Sequence, residues 1–311
     1  MAAPTLALSG TLNRQTYAEL FDRTFDLIEL REEKVPTQGE RFFNKKQVPR
    51  LDHKMGSMGR ILDLPVESED EDDVPMTQPM TGYNKTFTLL PFRNGIKVTR
   101  KMVELDQWDM IQAMMGGLFN TYKWKLEYQY SNVFNTAFTT AGADGANLFS
   151  DSHNHIDGSA GTWDNLEAAA ELSADTYSTM RLNMRNRTNE KGYVQPLMLN
   201  ELVVVNDLER KAKEVLGSVR TADTDLNNEF AFHGESNIVV WDWLTSTTAF
   251  FGRDAKAPTI DQGLYEFVQA PAEVMDNTSD FGIDILFARR LRFANAVGAT
   301  DLKAWNGSVG A

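Results

Sequence analysis

The chain has 311 residues, 42% hydrophobic and 24% charged, which excludes disorder throughout and allows one large domain or two smaller ones. It has no cysteine, so disulfides, thiolate nucleophiles and cysteine-ligated metals are excluded. A net charge of −13 argues against a protein whose main task is gripping nucleic acid, because phosphate binding works through Lys and Arg.

No apolar run approaches the ~18 residues of a membrane span. The N-terminal Met1-Ala2-Ala3-Pro4 also lacks the basic-then-apolar order of a secretion signal, so folding in a cytoplasm is expected. Segment 12–30 has a helical rhythm in Tyr17, Leu20, Phe21, Phe25, Ile28 and Leu30. Residues 31–60 then hold eight Lys or Arg against four Asp or Glu, among them Arg41, Lys45, Lys46 and Arg50, interrupted by prolines and glycines. Glu67, Glu69, Asp70, Glu71, Asp72 and Asp73 put six carboxylates in seven positions, a run that repels itself and belongs on an exposed tip.

Strand-like stretches flank that run, Met58–Val66 before it and Tyr83–Phe92 after it, which predicts an extended two-stranded arm with an acidic end. An isolated hairpin is only marginally stable in water, so the arm needs a surface to lie on, and another subunit is the obvious one. The expected meeting is between the acidic run and Arg41, Lys45, Lys46 and Arg50 of an equivalent arm, where complementary charge sets register and steering.

Residues 104–140 carry the strongest helical pattern, with Trp108, Ile111, Met115, Leu118, Tyr122, Leu126, Tyr130, Val133 and Ala137 recurring at steps of three or four. Such a helix is a natural spine for an elongated subunit, and Gly116-Gly117 is the place where it would bend. After a loop at 141–165, helical pattern resumes near Asn165. Ser173 is placed to cap a helix carrying Tyr177, Met180 and Met184. A strand at Leu197–Val205 leads into a short helix capped by Asp207, lined by Leu208, Ala212, Val215 and Leu216 and closed by Gly217. Further strands are expected at 237–244, 247–251, 264–269 and 281–294. The fold class is α+β, and there is no internal repeat.

Asp151, His153, His155 and Asp157 alternate along a loop and offer ligand types suited to a divalent metal, although Gly158, Ser159 and Gly161 equally suit a polar surface loop. His53 and His233 stand alone. The nucleophile elbow, the zinc-protease helix, the phosphate loop and the dinucleotide turn are all missing, so neither catalysis nor a cofactor is expected.

The order of arm, hairpin, spine helix and returning strands resembles the Hong Kong 97-type major capsid fold of tailed bacteriophages. Locally the chain is similar to the major head subunit family of Mu-like phages. The residues that carry this are Gly95-Ile-Lys-Val-Thr-Arg-Lys-Met-Val-Glu-Leu-Asp106, Asn147-Leu-Phe-Ser-Asp-Ser-His153, Leu202-Val-Val-Val-Asn-Asp-Leu208 and Ser236-Asn-Ile-Val-Val-Trp241.

The resemblance implies an N-terminal arm at 1–45 and an extended loop at 46–90. It implies a peripheral domain at 91–194 and 281–311, with the spine at about 104–140, and an axial domain at 195–280. It implies hexamers and pentamers of an icosahedral shell around double-stranded DNA, contacted weakly and without sequence specificity, in a virion assembled in a bacterial cytoplasm. A portal, a scaffolding protein separate from this chain and, as an optional partner, a decoration protein are the implied companions, with no membrane and with noncovalent joining. Two other readings stay open at this point: an encapsulin-like cargo shell with the same fold, and a metal-dependent hydrolase built on His153 and His155.

Overall fold

The computed structural model describes residues 37–58, 81–105, 108–156, 161–217, 232–277 and 285–311. In chain order the strands are β1 (Asn44–Gln47), β2 (Asp52–Met58), β3 (Thr81–Thr88), β4 (Leu90–Thr99), β5 (His153–Asn154) and β6 (Thr162–Trp163). They continue with β7 (Glu201–Val204), β8 (Asn237–Val240), β9 (Phe250–Arg253), β10 (Leu264–Asn277), β11 (Ile285–Ala299) and β12 (Trp305–Ser308). The helices are α1 (Arg100–Glu104), α2 (Trp108–Asn135), α3 (Ala174–Arg185), α4 (Glu209–Gly217) and α5 (Thr259–Gln262). One four-stranded sheet has the order β1-β10-β11-β4 and a second has the order β12-β9-β7-β8; β2 pairs with β3, and β5 with β6.

The chain divides into two compact units, one of residues 1–37, 91–126 and 270–294 and one of 38–90, 127–269 and 295–311. In the first, α2 buries Ile111, Met115, Leu118 and Leu126, the three- and four-residue spacing of one helix face. Phe92 stacks on Phe293 with ring centres 5.1 Å apart, Tyr122 meets Phe293 edge-on at 4.8 Å, and Lys125 Nζ lies 4.9 Å from the Phe92 ring centre.

The second unit is built on the β12-β9-β7-β8 sheet. All four residues of β7 are buried, as in a central strand that is covered on both faces. Against it pack Tyr177, Met180 and Met184 of α3 and Ala212 and Leu216 of α4. Ser173 caps α3 as its sequence position predicts, accepting from the Thr176 amide at 3.2 Å while its own amide donates to Thr176 Oγ1 at 2.8 Å. Beside this core, Phe42, Phe134, Trp241, Phe251 and Trp305 form an aromatic cluster with ring centres about 5–6 Å apart, each fully buried large ring contributing about 1.5–3 kcal/mol.

The structure departs from the sequence reading in several places. The helix expected over 104–140 is shorter: α1 ends at Glu104, and α2 runs from Trp108 to Asn135. Within α2 it is Phe134 rather than Val133 that is buried, because the aromatic cluster lies on that side. No helix begins near Asn165, which is instead a buried hydrogen-bonding hub. The turn after β7 is a 3-10 turn, Asn206–Leu208, so α4 starts at Glu209 and Asp207 lies inside the turn rather than at a cap. The first strand of the hairpin is described as β2, Asp52–Met58, and beyond Met58 the strand expected at 58–66 lies outside the described residues.

Candidate assembly surfaces

The two-stranded arm is present. β2 and β3 pair antiparallel with Asp52 opposite Thr88, His53 opposite Phe87 and Met58 opposite Thr81, with an irregularity between Gly56 and Met58. Its base rests on a small core of Val48, Phe87, Leu89, Tyr265 and Phe267, with Met55 packed against it. His53 lies with its ring centre 4.6 Å from that of Phe267, and Phe87 lies so close to Gly298 that a Cβ there would come within 2.7 Å of the ring. Lys85 reaches out of β3 to donate to the Ala141 carbonyl at 3.0 Å. Its ammonium is pushed below the usual lysine range by burial, against the pull of Asp301 and Asp144. Beyond the paired ends, Glu67, Glu69, Asp70, Glu71, Asp72 and Asp73 lie outside the described residues.

The basic residues expected to meet them are engaged within their own chain to different degrees. Arg41 donates through Nη2 to Glu201 Oε1 at 2.5 Å, and Arg253 donates to the other oxygen of Glu201 at 2.7 Å. Lys45 Nζ is 3.7 Å from Glu266, whose carboxylate also accepts from the Tyr130 hydroxyl at 2.8 Å. Lys46 sits 4.9 Å above the Tyr265 ring, and Arg50 is exposed. Gly116 and Gly117 lie inside α2, which runs through them as continuous helix, and a Cβ added at Gly117 would meet nothing within 4 Å.

The histidine loop is folded inward. His153 is buried, stacked on Trp163 with ring centres 4.3 Å apart, its Nδ1 2.7 Å from Asp144 and its Nε2 3.0 Å from the Asn165 side-chain oxygen. Both ring nitrogens therefore face protein oxygens and neither points at an open position. Burial alone would raise the Asp144 carboxyl, but the His153 hydrogen bond and charge and the Ala146 amide outweigh it and hold it low. His155 is buried with no partner on either ring nitrogen, Asp151 is exposed, and Asp157 lies outside the described residues. Among the described residues, no group of three or more acid or histidine side chains is placed to hold a metal ion, and no helix is long and apolar enough to cross a membrane.

The described geometry is thus of arms, anchors and fasteners. The sequence profile of the family described as phage capsid protein matches residues 83–305, well over half of the chain. This chain belongs to the phage capsid protein family. No curated protein matches it by sequence.

Among solved structures, the capsid of the cyanophage P-SCSP1u aligns with a TM-score of 0.56 at 7% identity, covering 89% of this chain and 88% of that one. The procapsid of bacteriophage JBD30 aligns at 0.53 and 10% identity, covering 94% and 75%; a virus-like particle from Pyrococcus furiosus aligns at 0.51 and 9%, covering 93% and 99%. At such identities the likeness shows the fold alone, and that fold is the Hong Kong 97-type capsid fold.

Several residues that hold this capsid protein together were not singled out in the sequence. Glu127, Asn165 and Glu201 are buried polar hubs: Asn165 accepts from Ser150 N at 2.8 Å and donates to the Leu148 carbonyl at 2.9 Å. No spacing signal marks a lone acid or amide whose partners lie far away in sequence.

Proposed function

We propose that this capsid protein is the major head subunit of a tailed phage, assembling into hexamers and pentamers of an icosahedral shell around double-stranded DNA. The family match carries the reading. The β2–β3 arm supports it, because a two-stranded ladder whose connecting sequence carries a dense acidic run is a device for reaching a neighbour rather than for closing a core. In this reading residues 1–45 are the N-terminal arm and 46–90 the extended loop. Residues 91–194 and 281–311 form the peripheral domain, and 195–280 the axial domain.

The role is structural rather than enzymatic, with no cofactor. Subunits join noncovalently; a portal, a separate scaffolding protein and an optional decoration protein complete the particle, which is assembled in the host cytoplasm. The net charge of −13 suits a wall that lies beside DNA without clinging to it. Obligate interfaces of this kind bury roughly 2,000–5,000 Å².

Electron microscopy of the protein, expressed alone and with the genes flanking its own, tests this. Shells or hexamer and pentamer rings are expected; a lone 35.0 kDa particle under every condition would overturn it. Particles holding protein cargo in place of DNA would move the reading to an encapsulin-like compartment.

A further inference from the structure

The second unit contains a cavity of about 240 Å³ with two chemically different parts. Its rim is apolar and open: Val194 is 62% exposed and Ile260 40% exposed, with Met55 of β2 beside them. Its floor is acidic, formed by Glu190, Asp261 and Asp301, with Lys303 as the lining cation.

The partners of these groups are unequal. Lys303 is committed to Glu190 by a short ion pair. Asp261, 5% exposed, accepts from Gln195 Nε2 at 3.1 Å. Among the described residues, the Asp301 carboxylate has neither a hydrogen bond nor an ion pair at contact distance; burial pushes it above the usual carboxylate range, the charges of Lys303 and His153 only partly opposing, and Lys85 lies near enough to feel it. Close to the floor lies His155, 1% exposed with both ring nitrogens unpartnered, near enough for Lys303 and Glu190 to act on it.

A negative floor under an apolar collar is the inverse of a long cationic side chain, which carries its charge at the end of a hydrocarbon stem. The volume is below the range of small-molecule and cofactor sites but has room for one such side chain. We infer that this cavity is an inter-subunit socket that receives an arginine or lysine side chain from a second copy of the chain, with the stem against Val194 and Ile260 and the cation beside Asp301. The inference rests on the shell-forming reading above, which supplies the second copy. A charge pair desolvated at the centre of a small socket fixes register, whereas rim charges mainly steer approach.

The absence of native cysteine allows a direct test on the full chain. Val194→Cys is reacted with a maleimide in dissociated subunits and in assembled shells. Rapid labelling of the subunit and strong protection in the shell are expected. Alongside it, Asp301→Asn should raise the subunit concentration needed for assembly by roughly tenfold, and Asp301→Lys should raise it further, with the subunit melting temperature as a control for folding.

Equal labelling in both states overturns the socket. Protection already present in the dissociated subunit overturns the second copy as occupant. Protection in shells without any effect of the Asp301 series overturns the cationic occupant. Absence of shells from the wild-type protein under every condition counts instead against the shell-forming reading itself.

Discussion

The indole Nε1 of Trp241 donates to Glu127 at 3.2 Å, deep in the second unit, and the same carboxylate accepts the Gly39 amide at 2.9 Å. Glu127 thereby ties the start of the described chain to the spine helix and the helix to the residue after β8. Burial lifts its carboxyl above the usual glutamate range, the hydrogen bonds from Gly39 and Trp241 opposing the shift. Glu127→Ala leaves two buried donors without an acceptor and is expected to destabilise the subunit by about 1–3 kcal/mol, with Glu127→Gln losing less. Urea unfolding of dissociated subunits measures this; a wild-type midpoint in Glu127→Ala would mean that water replaces the carboxylate without loss.

His155 gives the subunit an acid-sensitive point. Burial and the charge of Lys303 lower its pKa below the ordinary value of 6.5, Glu190 only partly opposing them. The unfolded chain therefore holds the proton more tightly, so this contribution to stability is present above about pH 6.5 and is lost as pH falls below it. Melting temperatures between pH 8 and pH 5 should drop more steeply for the wild type than for His155→Leu, which has no proton to bind. An unchanged slope in the variant would assign the acid loss to other groups.

Two glycines separate backbone strain from crowding. Gly145 has φ +87° with open space around its missing side chain, whereas Gly263, at φ +65° after α5, has the Asp301 carbonyl oxygen 2.0 Å from where a Cβ would stand. Gly145→Ala is expected to lose about 1–2 kcal/mol from left-handed strain alone. Gly263→Ala should lose more, because the Asp301 backbone must also move. Chemical denaturation of both variants tests the order, and equal losses would show that the chain after β11 yields freely.

What the sequence made legible was periodic or punctuated. The spine face of Ile111, Met115 and Leu118, the face of Tyr177, Met180 and Met184 behind the Ser173 cap, and the apolar run in β7 repeat at helix or strand spacing, and these residues are buried. The strands near 237, 250, 264 and 285 were also visible, whereas β12 was not, because Trp305-Asn306-Gly307-Ser308 has no alternation to mark a strand buried at every position. The histidine loop misled for a related reason. Gly158, Ser159 and Gly161 suited a polar surface loop, yet His153 and His155 are buried, and Trp163, Asp144 and Asn165 come from elsewhere in the chain to meet His153. The cavity around Asp301 had no sequence signal, since its walls come from five separated stretches.

The spine is the next place to intervene. Gly117 is exposed inside α2 with open space where a Cβ would go, so Gly117→Ala should stabilise the subunit by about 0.5–1 kcal/mol through helix propensity. If the helix bends at this point when a precursor shell expands, the same change stiffens the hinge and slows maturation. Comparing spine curvature in empty precursor and filled shells, for wild type and variant, tests the idea, and identical curvature throughout would remove the hinge.

The acidic run is expected to act between subunits rather than within one. Deleting residues 67–73 shortens the connection between β2 and β3 without touching the Val48, Phe87 and Tyr265 core on which the arm rests, so the subunit's melting temperature should stay close to wild type. Shell formation should fail or yield particles that fall apart at lower temperature. If exposed charge complementarity is the cause, the wild-type shell should also weaken with added salt, because surface pairs are screened beyond about 10 Å at 0.1 M ionic strength. Arg50, exposed at the turn before β2, is the first cation to reverse: Arg50→Glu should reproduce part of the deletion's effect. Stable, salt-insensitive particles from the deletion would leave the run as a solvated loop.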